Sequence, residues 1–119
     1  MIYSIKVEQV FSAAHNLREY KGKCEDLHGH NWKIEATAAK DKLDKAGMLL
    51  DFKYLKSELN EVLAELDHTY LNELSYFKEV NPTSENIAKY IYDRLKPKVL
   101  ELRSITVWEN GTSCATYGE

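Results

Sequence analysis

With 119 residues, 44% of them apolar and 29% charged, the chain has the make-up of one globular domain spanning 1–119, with a core of modest size. A formal net charge of -3 argues against nucleic acid and anionic membrane surfaces as partners, and no run approaches the roughly 18 apolar residues of a membrane span. The stretch from Met1 to Phe11 alternates and carries Lys6 and Glu8, unlike a signal peptide, and two cysteines, Cys24 and Cys114, are too few for a disulfide framework and read as reduced thiols of a cytoplasmic protein.

Residues 2–12 predict a strand, with Tyr3, Ile5, Val7, Gln9 and Phe11 on one face and Ser4, Lys6 and Glu8 on the other. Residues 13–30, with Gly22 and Gly29, read as an irregular segment whose length marks it as functional or mobile. Residues 31–39 predict a second strand that sets Trp32, Ile34, Ala36 and Ala38 against Asn31, Lys33, Glu35 and Thr37. Asp51 is a helix N-cap, and Phe52, Leu55, Leu59, Val62, Leu63 and Leu66 follow at spacings of three and four, the stripe of an amphipathic helix. A second helix begins after Asn81-Pro82, with Ile87, Ala88, Ile91 and Leu95 as its apolar face, and Pro97 ends or kinks it. Ser104 to Glu109 predict a third strand, Asn110-Gly111 a turn, and residues 114–118 a short returning strand.

The order β-β-α-α-β-β gives an α+β domain, a four-stranded antiparallel sheet with two helices on one face. Such a sheet leaves two edges with unpaired backbone groups. Closure into a barrel across subunits removes them, so the pattern predicts an oligomer.

Three of the four histidines fall in one stretch, His15 and then His28-Gly29-His30. Residues i and i+2 of an extended chain point the same way, so His28 and His30 present two imidazoles to one ion. They share parity with Trp32 and Ile34, and His15 shares parity with Phe11 and Val7. Two strand ends therefore aim three histidines at one region. Three neutral imidazoles suit Zn2+ and leave a fourth position open, the mark of a catalytic site. Cys24 is either a fourth ligand that closes a structural site in a non-catalytic zinc-stabilised protein, or a thiol of lowered pKa that works beside the metal as acid or base. Spacing does not separate the two.

Six ordered motifs run along the chain: Phe11-Ser-Ala-Ala-His15, Cys24-Glu-Asp-Leu-His28-Gly-His30, Gly47-Met-Leu-Leu-Asp51-Phe52, Leu66-Asp67-His68, Asn81-Pro-Thr-Ser-Glu-Asn86 and Val107-Trp-Glu109. Together they resemble the 6-pyruvoyltetrahydropterin synthase family over essentially the whole sequence. The spacing of Cys24 to His28-Gly-His30 is similar to the bacterial branch, which includes the 6-carboxytetrahydropterin synthases of queuosine biosynthesis.

The resemblance implies the tunnelling fold (T-fold), in which three subunits close a barrel and two trimers stack as a homohexamer. It implies zinc on His15, His28 and His30, a catalytic set of Cys24, Asp67 and His68, and a pterin-anchoring Glu109. The implied substrate is 7,8-dihydroneopterin triphosphate. The implied product is 6-carboxy-5,6,7,8-tetrahydropterin, released with triphosphate and acetaldehyde, or alternatively 6-pyruvoyltetrahydropterin without carbon–carbon cleavage. Many relatives have Thr where this chain has Asn110, which touches the support of the anchoring carboxylate. Thr83 and Ser84 open the second helix. Thr83-Ser84-Glu85 caps it, and the free N–H groups there are placed to meet a polar ring or an anion of the substrate.

Overall fold

Alternation of apolar and polar residues builds the two longest elements of the computed structural model, which describes all 119 residues. Strand β1 runs Tyr3–His15 and β2 runs His28–Lys40. Thirteen residues at about 3.3 Å each make a ribbon of about 43 Å, which accounts for most of the 54 Å long axis of the molecule. Helix α1 (Phe52–Leu63) follows, then a two-residue strand β3 (Thr69–Tyr70), a single 3-10 turn (Leu71–Glu73), a short helix α2 (Ser75–Glu79), helix α3 (Ser84–Leu95), β4 (Leu102–Asn110) and β5 (Ser113–Gly118).

The strands form one sheet in the order β3-β1-β2-β4-β5. All neighbours are antiparallel except β3, which runs parallel to β1 through Ala13↔Thr69 and Ala14↔Tyr70. The sheet thus has five strands rather than the expected four. Two residues are too few to carry a periodic signal, so β3 left no trace in the pattern. The irregular segment is also shorter than expected, 16–27 and not 13–30. Pairing of β1 with β2 continues through Ala13↔His30, Ala14↔Gly29 and His15↔His28. The Trp32 indole N–H donates to the Ala13 carbonyl at 3.2 Å. Histidine, glycine and alanine hide a strand from a hydrophobicity pattern, but they do not prevent its ladder from forming.

One face of the sheet carries the helices. Val7, Phe11 and Ala13 of β1, Trp32, Ile34 and Ala36 of β2, and Ile105 and Val107 of β4 pack there against Leu55, Leu59 and Val62 of α1 and Ile87, Ala88, Ile91 and Leu95 of α3. Asp51 caps α1 by accepting from the Lys53 N–H at 2.8 Å, and Thr83 caps α3 through the Asn86 N–H at 3.1 Å. Antiparallel pairing brings the end of β1, the start of β2 and the end of β4 to the same edge of this packed face. His15, His28, His30 and Glu109 all lie at that corner.

Candidate metal centre and active site

His15 closes β1 and is buried, with 1% exposure. Its Nδ1 lies 2.8 Å from the Pro82 carbonyl at the entrance to α3. A carbonyl only accepts, so Nδ1 carries a proton, and in the neutral ring Nε2 is a bare lone pair. His28 repeats this arrangement through the Asp26 carbonyl at 2.9 Å. The two Nε2 atoms then face each other at 3.1 Å with no proton between them, an arrangement that a shared cation stabilises. His30 Nε2 is buried and has no hydrogen-bond partner. It lies 3.0 Å from Glu109 Oε1, and His15 Nε2 lies 3.4 Å from the same oxygen.

Ligands at about 2.0–2.1 Å from tetrahedral zinc stand about 3.3–3.4 Å apart. The three short separations here, 3.0, 3.1 and 3.4 Å, are close to that edge length, and all four ligand atoms lie within 4.8 Å of one another. Burial holds the His30 imidazole below its ordinary pKa; Glu109 opposes this, and His15 and His28 reinforce it. Neutral imidazole is the form a metal takes up. The Trp32 ring forms the floor, edge-on to His15 and His30 at centroid distances of 4.9 and 5.1 Å. The donor set of three imidazoles and a carboxylate fits zinc.

The other expected site residues lie apart from this group. Cys24 is exposed on segment 16–27, in a depression bordered by Arg18, Glu19, Glu79 and Asn81. The ligand group contains Glu109 and not Cys24. Asp67 and His68 pair with each other, Oδ2 to Nδ1 at 3.0 Å, with the imidazole largely in solvent. His68 has φ of 59°, in the left-handed region. Its N–H donates to the Ser12 carbonyl, and the Ser12 N–H donates to Asp67 Oδ1, at 2.6 and 2.9 Å. The Ser12 N–H is the chief cause of the lowered Asp67 pKa; desolvation opposes it and His68 adds to it. His68 borders a depression that Ser12, Ala14 and Asn31 line together with Ala13 and His30; Ser12, Ala14 and Asn31 have the parity of the sheet face opposite His15 and Trp32. Parity sets the side chains of the histidine group on the face opposite Ser12, Ala14 and Asn31, and His30 is the member of the group that reaches the depression beside His68.

Thr83 spends its hydroxyl on the cap of α3, and Ser84 is the first residue of that helix. The Arg18 guanidinium donates through Nη2 to the Phe77 and Val80 carbonyls at 2.6 and 2.9 Å. Asn110 holds the β4–β5 turn, its Oδ1 accepting from the Thr112 N–H at 2.9 Å. Three residues that sequence reasoning missed fix segment 16–27. Asn72 grips the backbone of Asn16 in both directions, at 3.0 and 2.7 Å. The Tyr70 hydroxyl donates to Asn16 Oδ1 at 2.6 Å, and Asn16 Nδ2 donates to the Glu25 carbonyl at 3.1 Å. Isolated polar residues of this kind have no spacing that announces them.

The architecture is that of the tunnelling fold, with a metal-type donor group at one corner of the sheet and an aspartate–histidine pair apart from it. The profile of the 6-pyruvoyl tetrahydropterin synthase family matches residues 4–119. The 6-carboxy-5,6,7,8-tetrahydropterin synthase of Synechocystis is 38% identical, over 98% of this chain and 93% of its own. That of Bacillus subtilis is 35% identical, over 97% and 84%. The structure of Caenorhabditis elegans 6-pyruvoyl tetrahydropterin synthase matches with a TM-score of 0.86 at 29% identity, covering 100% of this chain and 96% of that one. The chain belongs to the 6-pyruvoyl tetrahydropterin synthase family, a family of pterin-processing enzymes.

Proposed function

We propose that this chain converts 7,8-dihydroneopterin triphosphate and water to 6-carboxy-5,6,7,8-tetrahydropterin, acetaldehyde and triphosphate. The observation that carries the reading is the convergence of His15, His28 and His30 on one point, with tautomers that leave the Nε2 lone pairs of His15 and His28 bare. The Synechocystis and Bacillus subtilis relatives, both named 6-carboxy-5,6,7,8-tetrahydropterin synthase, support the choice of product. Zinc on the three imidazoles would supply a Lewis acid at the substrate's side-chain oxygens.

The chain's own groups do the proton work in this proposal. The Cys24 thiolate takes a proton from the side-chain carbon next to the ring, and triphosphate leaves. His68, oriented by Asp67, returns and removes protons as the side chain rearranges and its carbon–carbon bond breaks. Glu109, Thr83 and Ser84 line the substrate's side of the site. In this reading a complete site draws on a second copy, which the opposite parity of the histidine group and of the Ser12, Ala14 and Asn31 face beside His68 supports. We therefore include a homohexamer, a dimer of trimers closed through an intersubunit barrel, in the proposal. Two features support it: β1 has an outer neighbour only at Ala13 and Ala14, and β5 ends the sheet without one. A single 1–119 domain in the cytoplasm, serving queuosine biosynthesis, completes the reading; no helix is long and apolar enough to cross a membrane.

The likeness to the worm 6-pyruvoyl enzyme favours a second reading, with the same substrate and no carbon–carbon cleavage. Purified protein incubated with 7,8-dihydroneopterin triphosphate and an aldehyde trap separates them by mass spectrometry. We expect the 6-carboxy product with trapped acetaldehyde. Accumulation of 6-pyruvoyltetrahydropterin without trapped aldehyde would overturn the first reading in favour of the second. Absence of any turnover, with metal bound, would favour the non-catalytic alternative.

A further inference from the structure

We propose that Glu109 is the fourth ligand of the metal in the substrate-free protein and that an oxygen donor of the substrate side chain displaces it. This rests on the three-histidine metal reading above and goes beyond it, because that reading leaves the fourth position to water or substrate and gives Glu109 to the pterin.

Two independent features place the carboxylate there. The first is backbone register. Along β4 and β5, Trp108 pairs with Cys114 and Asn110 with Ser113. Two steps on β4 thus match one on β5, and Glu109 is the unpaired residue of a bulge. A bulge re-aims its side chain and is a device found beside active sites. The turn beyond it is fixed by Asn110, which accepts from both the backbone N–H and the hydroxyl of Thr112, so the direction of Glu109 is built in.

The second feature is the chemistry at the carboxylate's tip. Glu109 Oε1 is 3.0 Å from His30 Nε2 and 3.4 Å from His15 Nε2. His15 Nδ1 is taken by the Pro82 carbonyl, so Nε2 is the ring nitrogen that faces the carboxylate. His30 Nε2 makes no hydrogen bond despite the short distance. A half-buried carboxylate oxygen and two imidazole nitrogens that converge at these distances are disposed as ligands about one cation. The separations also match the edges of a zinc tetrahedron of about 3.3–3.4 Å. A ligand on a bulge at the end of a strand can leave without disturbing the strand, whereas His15, His28 and His30 belong to the β1–β2 ladder. Glu109 is therefore the one ligand of the four suited to exchange. Once released, its carboxylate is free to accept hydrogen bonds from the bound substrate.

Metal titration tests this without turnover. Cobalt(II) is added to apo wild type, Glu109→Gln and Glu109→Asp, and visible absorption reports the coordination sphere. A chelator competition with zinc gives the affinities. We expect Glu109→Gln to bind zinc at least about tenfold more weakly, since loss of a ligand should cost no less than the 10–100-fold seen on losing its outer partners. We expect its cobalt spectrum to differ from wild type, and Glu109→Asp, one methylene shorter, to fall between. Addition of 7,8-dihydroneopterin to the cobalt form of wild type should move its spectrum. Equal affinities and superimposable spectra in wild type and Glu109→Gln would overturn the proposal while leaving the three-histidine site standing. Failure of wild type itself to bind either metal would overturn both.

Discussion

A carbonyl fixes the tautomer of His15, and a second one fixes His28, so single backbone atoms decide what this corner can bind. Pro82 offers its carbonyl to His15 Nδ1 at 2.8 Å. Cys24, exposed on segment 16–27, takes no part in the four-atom group. Cys24→Ala is therefore expected to keep about one zinc per chain and to lose turnover by roughly 10²–10⁴-fold, the range for removal of a general base. Metal analysis beside an activity assay reads both, and loss of zinc along with activity would make Cys24 a ligand after all. On the opposite face Glu35 is buried, accepting from the Trp108 indole at 2.7 Å and lying 3.1 Å from Lys6 Nζ. Burial raises its pKa, but hydrogen bonds from Lys6 and Trp108 and the charges of Lys6 and Lys33 outweigh this, and the net shift is downward from 4.5. A carboxylate whose folded pKa is depressed contributes stability above its unfolded pKa and loses it as pH falls through the folded value. The melting temperature is thus expected to fall on acidification below about pH 4.5, and Glu35→Gln should flatten that acid limb. An unchanged limb in the variant would mean that other carboxylates carry it.

The elements that position the site differ in how visible they were. Spacings of three and four, with Asp51 and Thr83 as caps, marked α1 and α3, and strict alternation marked the bodies of β1 and β2. Parity also pointed the three histidines to one face, because the β1–β2 ladder reaches His15↔His28 without a bulge. The stretch from Thr69 to Glu79 left no signal, since two strand residues, one 3-10 turn and a five-residue helix are shorter than any period. Yet this stretch clamps segment 16–27, through Asn72 on the Asn16 backbone and Arg18 on the last carbonyls around α2. The bulge at Glu109 was hidden for a related reason: register is a relation between two strands, and neither strand alone encodes it. Asn72→Ala strips partners from a half-buried N–H and C=O of Asn16, at a cost of about 1–3 kcal/mol. Amide exchange should accelerate across residues 16–25 while α1 and α3 keep their protection. Uniform acceleration through both helices would show that the clamp supports the whole fold rather than the segment that carries Cys24.

At the scale of the whole molecule, the sheet is a partition. His15, His28 and His30 have the parity of the helix-packed face, while His68 borders a depression with Ser12, Ala14 and Asn31 of the other parity, reached also by His30. The reciprocal hydrogen bonds between Ser12 and the Asp67–His68 peptide hold the pair there. Rotating a side chain does not carry it through a paired sheet, so a reaction that uses both sets needs two copies side by side. The open outer flank of β1 and the unpaired edge of β5 offer the contacts for such neighbours. This arrangement predicts complementation between two inactive variants, His28→Ala and His68→Ala. Each alone lacks one half of every site. Co-expressed in equal amounts and randomly assembled in a closed ring, a histidine group from a His68→Ala copy meets an intact His68 from a His28→Ala neighbour in about a quarter of the sites. Recovery of about that share of wild-type turnover in the mixture, with light scattering showing a hexamer, is the expected result. A mixture as inactive as its parts, in an assembly of mixed chains, would mean that each chain completes its own site and that the two faces do not cooperate.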